Sequence, residues 1–245
     1  MKVLGLYLLT LVLGMTSAYS QSVRQPDIKL KEGAVALRGN VEKIEVEEED
    51  SSSKYAMTFV SLTLKLSITN TSEVPLIFLQ REPDCNQAII AKNADDLDVR
   101  DKKFLAFSGA TSSDLTSVKW VNLRKSLDSP SPPSENTRIL APGETFNFDG
   151  WIRFNLPKEP QMYASSPTKS ESLARLQELS PVLLRVQCVA WPLNLEGVNN
   201  ERRKLIFGRE LQTRWKDVGL LWLKDIYSEP ILLDLKTATY KTASR

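Results

Sequence analysis

Two serine–lysine pairs stand at S-x-x-K spacing: Ser51-Ser52-Ser53-Lys54 and Ser166-Pro167-Thr168-Lys169. On a helix that spacing sets the lysine one turn from a nucleophilic serine. Neither pair opens a helical pattern, and S-D-N and K-T-G are missing, so both matches read as coincidence. Asn93, Asp95, Asp96, Asp98 and Asp101 gather the oxygen ligands that calcium takes. Leu97 and Arg100 fall where an EF-hand loop carries ligands, and no glycine makes its sharp turn, so a solvated acidic loop is expected. Histidine is absent. That removes the usual general base, the Ser–His and Cys–His pairs and the commonest zinc ligand. Catalysis would fall to carboxylates, lysine or tyrosine. A glycosidase needs two carboxylates facing across a cleft, and nothing in the sequence selects a pair. We therefore assign no catalytic residue, no metal ligand and no cofactor.

Residue types that suit binding are easier to find. Trp120, Trp151, Trp191, Trp215 and Trp222 include candidates for a platform on which sugars stack. The ordinary use of tryptophan is core packing, because it buries a large area. Trp151 and Trp222 sit in apolar strand patterns and are expected inside. Trp215, between Arg214 and Lys216, is expected outside. Glu201-Arg202-Arg203-Lys204 makes the preceding segment a basic loop, so Trp215, Arg202 and Arg203 form the candidate exposed binding surface. Cys85 and Cys188 are either a disulfide closing a long loop or two separate thiols. No C-x-x-C redox motif is present. Asn70-Thr71-Ser72 matches the glycosylation sequon, which matters only on a eukaryotic secretory route.

The first twenty residues bound where such chemistry takes place. Lys2 is followed by an apolar run from Val3 to Leu13, then by small residues ending Ala18-Tyr19-Ser20. This reads as a signal peptide over 1–20, with Gln21 as the mature N-terminus. The run is far short of the roughly 20 residues that span a bilayer, and no later run is longer, so no stable membrane span is expected. The protein is expected to be secreted or periplasmic, where disulfides persist. A formal net charge of +2 offers no field to gather nucleic acid.

Strand patterns dominate the rest of the chain. Leu62, Leu64, Leu66 and Ile68 alternate with Thr63, Lys65, Ser67 and Thr69, the period-two signature of a strand with one dry and one wet face. Val41-x-x-Ile44-x-Val46 precedes it across a polar hairpin loop at Glu47 to Ser53. Further strands are expected at Pro75–Leu79, at Cys85–Ala91 with Lys103–Phe107, at Thr145–Phe154 after the turn Ala141-Pro142-Gly143-Glu144, and at Val182–Leu193. Others are expected at Leu205–Phe207, Gly219–Tyr227 and Ile231–Leu235. Gly150 interrupts the alternation of Phe146, Phe148, Trp151 and Phe154 and suggests a bulge. Leu173, Leu176 and Leu179 give one short helix, capped by Ser170 and ended by Pro181.

Leu64-Lys65-Leu66-Ser67-Ile68-Thr69-Asn70, the Ala141–Glu144 turn before a strand, and Ser228-Glu229-Pro230 within the last strand carry a resemblance. They are similar to segments of the immunoglobulin-like sandwiches found in exported bacterial proteins. The resemblance implies an all-β, immunoglobulin-like antiparallel β-sandwich with long loops and one short helix. It also implies a proline that lets the final strand bend from one sheet edge to the next. The expected organisation is a single sandwich domain over 24–238 and a flexible tail over 239–245. The expected function is exported, non-catalytic binding or support, with a protein or a polysaccharide as partner. A carboxylate-dependent hydrolase of envelope or extracellular polymer, or a carbohydrate-binding module, is the alternative.

Overall fold

The computed structural model describes residues 33–48, 57–97, 104–109, 127–157, 161–162, 169–189 and 201–241. Residues from Glu32 onward form one compact unit. It is an all-β fold of open, mixed sheets with two α-helices among the described residues.

Its centre is a pair of long antiparallel strands, β1 (Val35–Glu48) and β2 (Met57–Asn70). The alternation read in β2 is the alternation observed. Leu62, Leu64, Leu66 and Ile68 are buried, while the residues between them reach solvent. Each fully buried leucine is worth roughly 1.5–3 kcal/mol, enough to fix the register against a one-residue slip. In β1 the register shifts between Val41 and Lys43, so Glu42 is an extra residue. This bulge explains the odd spacing Val41-x-x-Ile44-x-Val46. It moves the inward phase from Leu37 and Val41 to Ile44 and Val46. The bulge expected at Gly150 is not there. β7 (Thr145–Pro157) pairs with β2 without interruption from Thr69↔Thr145 to Met57↔Pro157. Gly150 keeps the phase and lets Leu66 lie over it. A Cβ there would stand 2.8 Å from Leu66 Cδ1.

A second sheet lies against the first. β4 (Asp84–Ala91) pairs with β5 (Ala106–Gly109) as the expected hairpin, and with β10 (Val182–Val189). β10 also pairs with β12 (Ile226–Tyr227) and β13 (Ile231–Leu233). β1 touches β12 and β13, and β7 touches β4 and β5. Between β12 and β13 the chain leans to the other sheet. Glu229 N–H donates to Leu37 O at 3.0 Å, while Ser228 Oγ accepts from Val186 N–H at 2.9 Å. The chain then crosses fully: β14 (Thr239–Tyr240) runs parallel beside β1, and Lys241 N–H donates to Val46 O at 2.8 Å. Strand β14 thus lies within the stretch expected as a tail. The parallel pairing also makes this sheet mixed, not purely antiparallel.

A three-stranded sheet, β3 (Leu76–Phe78) between β6 (Arg138–Leu140) and β11 (Leu220–Leu221), sits beside these. Two short strands, β8 (Gln161–Met162) and β9 (Lys169–Ser170), pair with each other. Helix α1 (Leu173–Leu179) is the expected one, with a correction at its start. Ser172 caps it, not Ser170, accepting from Arg175 N–H at 3.3 Å. Helix α2 (Glu201–Arg214) replaces both the expected basic loop and the strand at Leu205–Phe207. Phe207, Leu211 and Trp215 recur every fourth residue and pack on Ile77, Leu79, Leu127 and Leu221.

The Ala141–Glu144 turn is pinned from inside. Gly143 adopts φ +76°, where glycine escapes the Cβ penalty, and its N–H donates to Asn70 O at 2.8 Å. The Asn70 side chain is fully buried. Its Nδ2 donates to Val74 O and to Leu140 O, each at 2.9 Å. Its Oδ1 accepts from Ser72 N–H at 2.9 Å and from Ser72 Oγ at 2.7 Å. With both amide hydrogens committed inside the fold, Asn70 is a structural residue. The sequon does not present a glycan acceptor.

Candidate functional site

The inner faces of the two main sheets take most of the large apolar side chains described, so polar side chains gather on outer faces, edges and loops. The outer face of the sheet β14-β1-β2-β7 is polar because β2 and β7 turn their odd-numbered residues outward. A shallow depression of about 700 Å³ crosses it, lined by Arg38, Asn40, Lys65, Ser67, Asn147 and Asp149. Register brings them together: Asn40 lies opposite Lys65, Lys65 opposite Asp149, and Ser67 between Arg38 and Asn147. The glycines beneath allow it. A Cβ at Gly39 would stand 2.5 Å from Leu66 Cδ2 and 2.8 Å from Lys65 O, so only glycine lets β1 lie this close to β2.

Each cation of the depression is paired, Lys65 with two carboxylates and Arg38 with one. Lys65 Nζ bonds Asp149 Oδ1 at 2.8 Å and lies 3.6 Å from Glu42 Oε2. The hydrogen bond it donates to Asp149, reinforced by the two negative charges, holds the ammonium above its ordinary pKa. Arg38 Nε meets Glu229 Oε1 at 2.8 Å. Nearby, Glu45 accepts from Lys43 at 2.9 Å and Lys241 at 3.3 Å, and the Lys43 bond lowers its pKa most. These exposed pairs add little stability. They do present fixed donors and acceptors to whatever lies on the face.

Trp151 stands beside this depression, one outward step beyond Asp149 on β7, and is 59% exposed. Its expected place was the core. The unbroken phase of β7 puts Ile152, Phe154 and Leu156 inward and Trp151 outward, opposite Thr63. One outward step further, Arg153 lies over the Phe59 ring with its guanidinium carbon 4.0 Å from the centroid. The surface therefore runs from Phe59 and Arg153 through Trp151 to the ion-paired depression.

The surface expected from sequence is corrected. Trp215 is fully buried, and its Nε1 donates to Ser129 O at 3.1 Å. Its charged neighbours gave a false cue because residues adjacent along a helical turn point in different directions. Arg202 and Arg203 lie on helix α2, and their side chains lie outside the described residues. Trp222 is buried as expected. Trp120 and Trp191 lie outside the described residues, as do Asp98, Arg100, Asp101 and both S-x-x-K segments except Lys169. Ala94–Leu97 of the acidic stretch forms a 3₁₀ turn with Asn93 Nδ2 donating to Asp96 Oδ2 at 3.1 Å. Among the described residues no group of acidic and cysteine side chains is arranged to hold a metal ion.

Cys85 and Cys188 form a disulfide across a separation of 103 residues. Both sulfurs are buried, and the bridge joins β4 to β10, neighbours within one sheet. Beside it, Asp84 is half-buried, and loss of water raises its pKa. Among the described residues no helix is long and apolar enough to cross a membrane. No family model, curated protein or solved structure matches the chain.

Proposed function

We propose that this is an exported, non-catalytic binding protein, secreted or periplasmic, that recognises a protein or polysaccharide partner on the outer face of β14-β1-β2-β7. The observation that carries the reading is Trp151, held in water beside a depression whose ion pairs are already formed. An exposed aromatic ring with fixed polar groups around it suits recognition. The carboxylates of the depression are solvated and share Lys65, an arrangement for hydrogen bonding more than for proton delivery. Export is supported by the charged and apolar start of the chain and by the Cys85–Cys188 bridge.

We read the architecture as an immunoglobulin-like sandwich. Two sheets in contact and a C-terminal segment that passes between them near Pro230 support this. The disulfide departs from antibody domains, where the bridge spans the two sheets.

The test is a pull-down with the tagged full chain from native envelope and culture fluid, with the mature N-terminus read by mass spectrometry. A retained partner lost on Trp151→Ala, and a chain starting at Gln21, support the reading. An uncleaved intracellular chain overturns export. Hydrolysis of a polymer by the purified protein overturns the non-catalytic assignment.

A further inference from the structure

The outer face also narrows what it would bind, granted that it is the recognition surface. Trp151 is the most exposed large apolar group described there; Thr63, Lys65, Asp149 and Arg153 surround it, and Phe59 lies further along the face beneath Arg153. A protein interface needs an apolar core of several adjoining residues, and here polar neighbours set the exposed Trp151 ring apart from the partly covered Phe59. A second constraint is charge. Lys65 is shared by Asp149 and Glu42, and Arg38 is paired with Glu229, so an anionic ligand would have to displace a carboxylate and would meet the one in excess. A third is extent. Outward residues recur about every 7 Å along a strand, and strands lie about 4.8 Å apart. From Trp151 to Asn147, and across to Asn40, the face thus has the dimensions of a short oligosaccharide.

We propose that this face is a binding site for a neutral glycan, with one sugar ring stacked on Trp151 and its neighbours bonded to the Lys65–Asp149 pair, Asn40, Asn147 and Ser67. A pyranose has the matching anatomy. Its C–H face packs on an aromatic ring, and its hydroxyls both donate and accept around the rim. Charged groups already paired to each other make strong bonds to hydroxyls without requiring charge on the ligand. Arg153, held against Phe59, walls the far side of the ring.

The experiment titrates the full-length mature protein with neutral hexasaccharides of β-1,4-linked glucose, mannose and N-acetylglucosamine and of α-1,4-linked glucose. Tryptophan fluorescence and calorimetry follow binding. At least one sugar is expected to bind saturably. Trp151→Ala is expected to weaken it about tenfold or more, while Trp151→Tyr retains most of the affinity. Raising salt from about 0.05 to 0.5 M is expected to change the affinity less than about twofold, since no net charge is neutralised. Circular dichroism and a melting curve establish that both variants fold, which the exposure of Trp151 favours.

The proposal is overturned if the folded protein binds none of these sugars up to about 10 mM. Binding of anionic glycans alone, with steep salt dependence, overturns it equally. A polypeptide partner lost on Trp151→Ala would exclude the glycan while leaving the recognition face in place. A partner whose retention ignores Trp151→Ala would remove both.

Discussion

Asn70 offers the sharpest test of how the turn at 141–144 is held. Its amide donates two bonds and accepts two, all inside the fold. Asn70→Ala leaves Leu140 O without that donor and Ser72 N–H without that acceptor, while Val74 O keeps the Ser72 hydroxyl at 2.9 Å. At about 1 kcal/mol net per bond, plus desolvation of the orphaned groups, the cost is about 2–4 kcal/mol. Asn70→Asp has the same shape but sets a carboxylate oxygen against two carbonyl oxygens. At neutral pH it is expected to cost more than alanine, about 3–5 kcal/mol, as for a buried charge stripped of its partner. The two differ in pH dependence. The carbonyls raise the folded-state pKa of the new carboxyl above its unfolded value near 3.9. The native state then takes up its proton first, and the deficit shrinks as pH falls through the raised value. Urea unfolding followed by tryptophan fluorescence, from pH 7 to 4, measures both. The backbone bonds of Asn70 to Gly143 and Glu144 survive in each variant, so the losses report the side chain. The reasoning fails if alanine costs under about 0.5 kcal/mol, or if the aspartate deficit equals that of alanine and is flat with pH.

Other outcomes follow from features of the same kind. Replacing Cys85 and Cys188 together by alanine should lower stability by about 4–5 kcal/mol in the chain-entropy picture for a separation of 103 residues. Wild type melted in reductant should show a similar loss, and equal midpoints with and without reductant would contradict it. Gly39→Ala should destabilise by about 1–3 kcal/mol, because the new Cβ meets backbone at Lys65 O. A Cβ at Gly150 meets only side chains, Leu66 closest, whereas one at Gly39 meets Lys65 O as well as Leu66, so Leu66→Val should rescue Gly150→Ala more completely than Gly39→Ala in a double-mutant cycle. Asp84→Asn should stabilise above the raised pKa of Asp84, where the native state carries a half-buried charge. Thermal melts of the two chains should converge below about pH 3.8, where the carboxyl is protonated in both states. A gap that widens on acidification would reverse the sign.

Strands that cover one face of the core were readable from their alternation, and β2 is the clearest case. The bulge was misplaced because Gly150 is small and Glu42 is not conspicuous. A bulge is a change of phase, and only the partner strand fixes where the phase changes. That one misplacement sent Trp151 to the wrong side of the sheet. Helix α2 escaped because Leu205-Ile206-Phe207 has strand propensity taken alone. Its true signal was the fourfold recurrence of Phe207, Leu211 and Trp215. Nothing local to Asn70-Thr71-Ser72 announces that a distant turn will close over Asn70. The candidate site is the part least legible in advance. Its members come from three strands, and only the register makes them neighbours.

The parallel pairing of β14 with β1 has a mechanical meaning. Strand β1 begins at Val35, and β14 comes to rest beside Glu45 and Val46, toward the other end of β1. At about 3.3 Å per residue, Val35 and β14 stand on the order of 30 Å apart, along the strand axis. Tension applied to the two ends would slide β14 along β1 and stretch their bonds side by side, not peel them one after another. The face bearing Trp151 lies alongside that line of force.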